Sequence, residues 1–144
     1  MEFISECPED TQKIAAQIAD TLVGGDVLCM YGDLGAGKTA FVKGLAKGLG
    51  IDDHITSPTF TIVNEYFGRL KLYHFDVYRI ADPDEMYEIG YEEYVYGDGV
   101  SVIEWPQLID EILPENRYNV IIDKDYDKHE DYRVIRIEKV GDNT

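Results

Sequence analysis

The sequence predicts an α/β fold, in which a central mixed sheet is flanked by helices and the last strands run antiparallel. A short apolar run, a glycine-rich loop and a helical pattern follow one another over residues 26–49, and further strand-sized apolar runs alternate with helical patterns. Two late runs, 117–123 and 131–138, are separated by a polar turn and predict an antiparallel hairpin. With 144 residues, 44% of them hydrophobic, we expect a single domain with a sizeable core.

The chain is predicted to begin with a short strand at residues 3–5 and a helix that starts at Pro8. Proline fits the first turn of a helix, and the next residues, Glu9 and Asp10, complement the positive end of the helix dipole. One apolar face then extends to the glycine pair at 24–25, formed by Ile14, Ala15, Ile18, Ala19 and Leu22. We expect this helix to pack on the sheet.

Residues 32–39 read Gly-Asp-Leu-Gly-Ala-Gly-Lys-Thr and fit the phosphate-binding pattern G-x-x-x-x-G-K-[ST]. The predicted strand at 26–31 and the predicted helix at 40–49 flank this loop in the order that the pattern requires. The glycines let successive backbone N–H groups turn inward around a phosphate. Lys38 can then reach the β and γ phosphates, and the Thr39 hydroxyl can ligate Mg²⁺.

Eight consecutive residues are therefore expected to contact a nucleotide: Asp33, Leu34, Gly35, Ala36, Gly37, Lys38, Thr39 and Ala40. The alternative is a glycine-rich turn that happens to contain a lysine, which the flanking strand and helix disfavour. The sequence contains neither D-x-x-G nor N-K-x-D, so ATP is favoured over GTP. It also lacks a cluster of arginines like the lid of a small-metabolite kinase, although such a kinase and a non-hydrolysing regulatory module stay as alternatives.

A hydroxyl-rich loop follows the turn at 52–54. Loops in this place often sense the γ phosphate. Four residues are candidates for that role: Thr56, Ser57, Thr59 and Thr61. The alternative is a Ser/Thr turn that bends around Pro58. Residues 61–66 and 70–76, separated by 67–69, then predict a β hairpin.

Asp76 and Glu104 each end an apolar, strand-like run. A carboxylate at the end of a strand suits a direct or water-mediated Mg²⁺ ligand, and either acid could orient or deprotonate a water that attacks the γ phosphate. The sequence does not show which of the two acids takes which role. For each, the alternative is an ordinary acidic residue at the end of a strand. Arg79 could neutralise phosphate charge or pair with the acidic segment that follows it, and we favour the ion pair.

Residues 82–98 carry seven acidic side chains and no Lys or Arg. We favour a solvated acidic face, with a docking surface for a basic partner as the alternative. A helix is predicted over 82–89, with Asp82 as its cap and Pro83 at its first position. Three tyrosines that follow are expected to be partly buried, or else to form an exposed interaction surface: Tyr91, Tyr94 and Tyr96.

Trp105 is the only tryptophan and follows Glu104 directly. It is expected either in the core or beside the nucleotide pocket. A short helix is predicted over 107–112, and the last residues, 141–144, are expected to fray.

Composition limits the expected partners and compartment. Twenty-nine acidic residues against 13 basic ones give a formal net charge of -16, which disfavours stable independent binding to RNA or DNA. No signal peptide or membrane-spanning run is recognisable, so we expect a cytoplasmic protein without a membrane partner. Cys7 and Cys29 do not form a C-x-x-C pair and are expected to be free thiols, with Cys29 buried.

Four motifs occur in a defined order along the chain. They are the glycine-rich loop at 32–39, Ser-Pro-Thr-Phe-Thr-Ile-Val at 57–63, His-Phe-Asp-Val-Tyr-Arg at 74–79 and Ile-Glu-Trp-Pro at 103–106. Many NTPases share the first, but the set together resembles the TsaE (YjeE) family, bacterial ATPases of tRNA threonylcarbamoyladenosine formation. The resemblance covers about residues 1–140, with no departure within the four motifs.

The resemblance implies a phosphate-loop NTPase domain that binds ATP and Mg²⁺ at Lys38 and Thr39. It implies that residues 57–59 act as a first switch, with Thr59 among the nucleotide contacts. Asp76 falls where the family has its Walker-B-like acid.

Glu104 and Trp105 fall in the second switch that the resemblance implies, near the metal and the nucleotide respectively. Family members act with a TsaD and TsaB pair, which modifies the adenosine following the anticodon in tRNAs that read codons beginning with A. The resemblance therefore implies an ATPase that drives this pair and meets tRNA only indirectly.

Overall fold

A computed structural model describes residues 1–33, 35–56, 58 and 62–141 of the chain. Its strands are β1 (Glu2–Ser5), β2 (Val27–Tyr31), β3 (Val63–Phe67), β4 (Lys71–Asp76), β5 (Val100–Glu104), β6 (Arg117–Lys124) and β7 (Arg133–Val140). Its helices are α1 (Pro8–Ala19), α2 (Lys38–Gly48), α3 (Asp84–Glu88) and α4 (Tyr91–Val95), followed by 3₁₀ turns over Pro106–Ile112.

The seven strands form one sheet in the order β1-β7-β6-β2-β5-β4-β3. The four central strands β6, β2, β5 and β4 are parallel, whereas β3, β7 and β1 pair antiparallel to their neighbours. The prediction of a mixed sheet with antiparallel C-terminal strands is therefore confirmed. Because the central strands are parallel, their carboxyl ends lie along one edge of the sheet, where both β2 and the strands that end in acidic residues deliver their loops.

Apolar residues cover both faces of the sheet, because successive side chains of a strand point to opposite sides. On one face, Leu28 and Met30 of β2 pack with the buried sides of α1 and α2. On the other face, Val27 and Cys29 pack with residues of α3, α4 and the 3₁₀ turns. Helices thus flank the sheet on both sides, as predicted.

The first helix is shorter than its apolar pattern suggested, since α1 ends at Ala19 rather than near Gly24. Leu22 is nevertheless 3% exposed and joins the same core. The last carbonyls of α1 find other donors: Thr21 Oγ1 donates to Ile18 O at 2.7 Å, and Arg69 Nη2 donates to Ala19 O at 2.9 Å. These bonds satisfy the helix end and let the chain turn toward β2.

The acidic segment differs from its prediction in two details. The helix expected from Asp82 begins at Asp84, although the Asp82 carboxylate does accept a hydrogen bond from the Asp84 N–H at 2.9 Å. A second short helix, α4, follows, and its Tyr91 is buried. Tyr94 is partly buried, as favoured, whereas Tyr96 is 66% exposed.

The prediction that Arg79 forms an ion pair with the acidic segment was wrong. Arg79 is exposed in the turn after β4 and pairs with no carboxylate among the described residues. Exposed ion pairs gain little free energy, so the acidic segment alone does not hold this side chain. The cysteine prediction is confirmed, because both thiols are free and Cys29 is buried. Within the described ranges, no helix is both long and apolar enough to cross a membrane.

Candidate functional site

The glycine-rich loop connects the carboxyl end of β2 to the first turn of α2. Gly35 and Gly37 have φ values of 79° and 105°, which glycine adopts without the penalty that a side chain would bring. Ala36 N–H donates to Asp33 O at 3.0 Å, and the α2 hydrogen bonds begin at Gly37 O, which accepts from Phe41 N–H. The loop therefore presents its backbone at a helix N-terminus. Leu34 lies outside the described residues.

Lys38 is the first residue of α2 and is 6% exposed. Its Nζ lies 3.9 Å from the centroid of the Trp105 ring, and it has no hydrogen-bond partner within the part of the chain that the structure describes. Burial lowers the pKa of the Lys38 ammonium, whereas the charges of Glu104, Asp76 and Asp33 act in the opposite direction. A buried ammonium with unused donors is well suited to hold an anion.

The two strand-end acids lie side by side. Asp76 and Glu104 are direct partners in the register of the parallel strands β4 and β5, and Glu104 in turn pairs with Met30 of β2. Glu104 is 5% exposed, and its Oε2 lies 2.6 Å from Nε2 of His74. Asp76 is half-buried, and its Oδ1 accepts a hydrogen bond from the Tyr78 N–H at 3.0 Å. The topology brings both acids close enough to Lys38 to act on its pKa.

Trp105 lies between the core and the glycine-rich loop. Its ring is partly buried against the core under α3 and α4, yet it also covers Lys38 Nζ and contacts Tyr78 at a centroid distance of 5.0 Å. Trp105 has a φ of 62° and is, within the described ranges, the only residue other than glycine with a positive φ. Strained backbone of this kind is concentrated at functional sites.

The remaining predicted residues differ in their exposure and in whether they lie within the described part of the chain. Thr39 is exposed at the start of α2, with Ala40 half-buried beside it. Thr56 is held through its backbone, since its carbonyl accepts hydrogen bonds from Asn64 Nδ2 at 3.2 Å and Tyr66 Oη at 3.3 Å. The other three hydroxyl candidates lie outside the described residues: Ser57, Thr59 and Thr61.

Three basic side chains near the site were missed by the sequence reasoning. His74 precedes Asp76 by two positions on the same strand, so strand periodicity would have placed both on one face. Arg133, at the start of β7, donates from Nε to Ala36 O at 2.7 Å and from Nη2 to Gly35 O at 3.2 Å. A Cβ at Gly35 would lie 3.6 Å from Lys124 Nζ. No local pattern links Arg133 or Lys124 to the loop, because both come from the distant terminal hairpin.

A cleft of about 500 Å³ opens beside the loop, on the side where β6 ends. Polar and aromatic residues line much of it, including Tyr31, Asp33, Trp105, Gln107, Lys124 and Tyr126. Its lining comes from both sides of β2, since the end of β6 supplies Lys124 and the segment after β5 supplies Trp105 and Gln107. The cleft therefore adjoins the loop, and Trp105 borders both the cleft and Lys38.

Comparisons with known proteins agree on one family. The family model for threonylcarbamoyl adenosine biosynthesis protein TsaE matches residues 5–134. The TsaE of Bacillus subtilis (strain 168) is 49% identical, with 93% of this chain and 82% of that protein covered. The TsaE of Treponema pallidum (strain Nichols) is also 49% identical, with 85% and 89% covered. A crystal structure of Bacillus subtilis YdiB superimposes with a TM-score of 0.80 at 43% identity, covering 98% of this chain and 86% of that one.

Proposed function

This chain belongs to the TsaE family of threonylcarbamoyl adenosine biosynthesis proteins, and we propose that it binds and hydrolyses ATP with Mg²⁺ at the 32–39 loop. We propose that this hydrolysis supports tRNA threonylcarbamoyladenosine biosynthesis. The observation that carries the proposal is the buried Lys38 ammonium, which lies at a helix N-terminus within the electrostatic influence of two strand-end carboxylates. A triphosphate with its metal supplies both the negative charge that Lys38 would hold and the positive charge that Asp76 and Glu104 would hold.

The loop would bind the phosphates through backbone and side chain together. The amides between Gly35 and Thr39 lie at the positive end of the α2 dipole, and Lys38 adds a full charge. The open cleft beside Tyr126 and Lys124 has room for the base and ribose. We propose that six of the expected contacts meet the nucleotide as the motif predicts: Asp33, Gly35, Ala36, Gly37, Thr39 and Ala40.

The residues present fit a magnesium ion that arrives with its nucleotide. Among the described residues, no three His, Cys, Asp or Glu side chains converge to hold a metal by themselves. Magnesium beside a nucleotide takes phosphate oxygens and waters as most of its ligands, so the Thr39 hydroxyl and one carboxylate are sufficient. When bound, the ion would neutralise charge on the β and γ phosphates.

We assign different tasks to the two acids. Asp76 is half-buried and would support the metal, directly or through water. Glu104 is nearly fully buried and held by His74, so its carboxylate has the fixed direction that orienting a water, and accepting its proton, requires. As the bond to the γ phosphorus forms and the bond to the β-phosphate oxygen breaks, Lys38 and the loop amides would stabilise the charge on the transferring group.

The proposed partners follow from the family and from charge. ATP hydrolysis would drive a complex of TsaD and TsaB with its tRNA. The protein would then act in the cytoplasm, where that complex would modify tRNA. A formal net charge of -16 favours a protein partner over direct binding of tRNA.

Release of inorganic phosphate from Mg-ATP tests the proposal. The protein is assayed alone and then with a TsaD and TsaB pair and substrate tRNA, with Lys38→Ala as the blank. Strong stimulation by the pair is the expected result. Labelled phosphate transferred to an added small compound would indicate a kinase instead, and nucleotide binding without turnover in any mixture would indicate a regulatory module.

A further inference from the structure

We propose that Arg133 is a positioning residue that holds the phosphate-binding loop in its anion-binding shape. The inference rests on the proposed function of the 32–39 loop and adds a residue that none of the four sequence motifs contains. Arg133 begins β7, 97 residues beyond Ala36, and yet its guanidinium hydrogen-bonds the loop backbone directly.

The contacts point to the loop rather than to a ligand. Nε of Arg133 donates to Ala36 O at 2.7 Å, and Nη2 donates to Gly35 O at 3.2 Å. Nη1 donates to two carbonyls of the preceding turn, those of Tyr132 at 2.9 Å and Glu130. One planar side chain thus joins two segments of backbone, and its fixed fork geometry orients four carbonyls at once.

These bonds have a direct consequence for anion binding. In a phosphate-binding loop the N–H groups must point inward, so the carbonyls of the same peptide units point outward and need donors of their own. Arg133 supplies donors to the carbonyls of Gly35 and Ala36. Ala36 O shares its peptide unit with the Gly37 N–H, whereas the N–H of the Gly35–Ala36 unit closes the turn by donating to Asp33 O. A loop held open in this way is already ordered before the phosphate binds. Binding then carries a smaller cost in conformational entropy, which raises the affinity.

The positive charge is of secondary importance in this arrangement. The guanidinium is committed to backbone carbonyls, and a Cβ at Gly37 would lie 3.9 Å from Arg133 Nε, on the outer side of the loop. A lysine at position 133 would keep the charge but lose the fork, since a single ammonium cannot match both loop carbonyls in this geometry.

Binding of Mg-ADP and of pyrophosphate, measured by calorimetry, tests the inference with Arg133→Lys and Arg133→Gln. Both variants are expected to bind each ligand about tenfold more weakly or worse, because each loses most of the hydrogen bonds to the loop. Hydrogen exchange at the amides of residues 35–39 should accelerate in both, while exchange in β2 stays unchanged. Arg136→Gln is the matched control, since Arg136 lies on the same strand and its one side-chain polar contact among the described residues is an exposed one, at 3.4 Å from Asp123.

Three outcomes would contradict the inference in different ways. Full affinity and unchanged loop exchange in both Arg133 variants, with binding lost in Lys38→Ala, would overturn it and leave the proposed function standing. Full affinity in Arg133→Lys alone would show that charge, and not the fork, is what matters. Absence of Mg-ADP binding in the unaltered protein would overturn the proposed function and this inference together.

Discussion

His74 and Glu104 form a buried pair on neighbouring strands, with 2.6 Å between Nε2 of the ring and Oε2 of the carboxylate. Their side chains are 0% and 7% exposed. The pair is a feature of the parallel register of β4 and β5, which sets Asp76 opposite Glu104 and His74 one step back on the same face. His74 therefore fixes the direction of the carboxylate that we assign to the attacking water.

Replacing His74 is expected to lower turnover more than binding. Without the ring N–H, the Glu104 carboxylate loses its orientation, so kcat for partner-stimulated ATP hydrolysis should fall by about ten- to a hundredfold in His74→Phe. The Kd for Mg-ADP should change less than threefold. Steady-state kinetics and calorimetry separate the two effects.

The control for His74→Phe is Tyr91→Phe. Tyr91 is buried in the core under α3 and α4, on the other face of the sheet from His74, and its Oη donates a hydrogen bond to Ile112 O at 3.3 Å. This variant should lose stability without losing turnover of the folded fraction. An equal fall in kcat in both variants would show that the His74 effect is one of general stability.

Lys38→Met is expected to stabilise the protein while abolishing its response to nucleotide. The Lys38 pKa is lowered because the charged ammonium is buried, so the charge opposes folding at neutral pH. Removing it should raise the free energy of unfolding by about 1 kcal/mol, equivalent to an increase in Tm of a few degrees. Thermal melts with and without Mg-ADP measure both effects.

The same linkage predicts a pH dependence. A lysine with a lowered pKa in the folded state costs stability below that pKa, and the cost disappears as pH rises toward its unfolded value of 10.5. The advantage of Lys38→Met should therefore be largest at neutral pH and shrink in alkaline buffer. An advantage that grows with pH would contradict the assignment.

Trp105 should report binding at the loop. It is the only tryptophan, and its ring centroid lies 3.9 Å from Lys38 Nζ. Phosphate binding would draw the ammonium away from the ring and change the local charge, so titration with Mg-ADP should change the intrinsic emission. Lys38→Ala provides the blank, because a saturable change that persists in this variant would come from elsewhere.

Gly44→Ala should destabilise the fold without changing nucleotide affinity. A Cβ at Gly44 would lie 2.2 Å from Gln12 O and 2.5 Å from Gln12 Cα, and a backbone contact cannot be relieved by rotating a side chain. Forcing α1 and α2 apart should lower the free energy of unfolding by about 2 kcal/mol, as measured by urea denaturation. Lys43→Ala changes the preceding, exposed position of α2 and should stay within about 0.5 kcal/mol of the unaltered protein.

Local chemistry made several elements readable from the sequence. The loop at 32–39 needs glycine where φ is positive, and Gly35 and Gly37 occupy those places. The strand-end acids were also readable, because strands are short and apolar and Asp76 and Glu104 end two of them. The end of α1 could not be predicted from the sequence, because Arg69, in the later β3–β4 hairpin, donates a hydrogen bond to the last carbonyl of the helix.

By itself, then, the sequence determined the class of fold, the order of its elements and the loop that carries the proposed chemistry, since each of these depends on neighbouring residues. Only the tertiary structure decided which distant groups meet. The parallel pairing of β4 and β5 brings His74 to Glu104, and the return of β7 brings Arg133 to the outer side of the loop. Such contacts depend on strand order and register, which no local pattern of residues encodes.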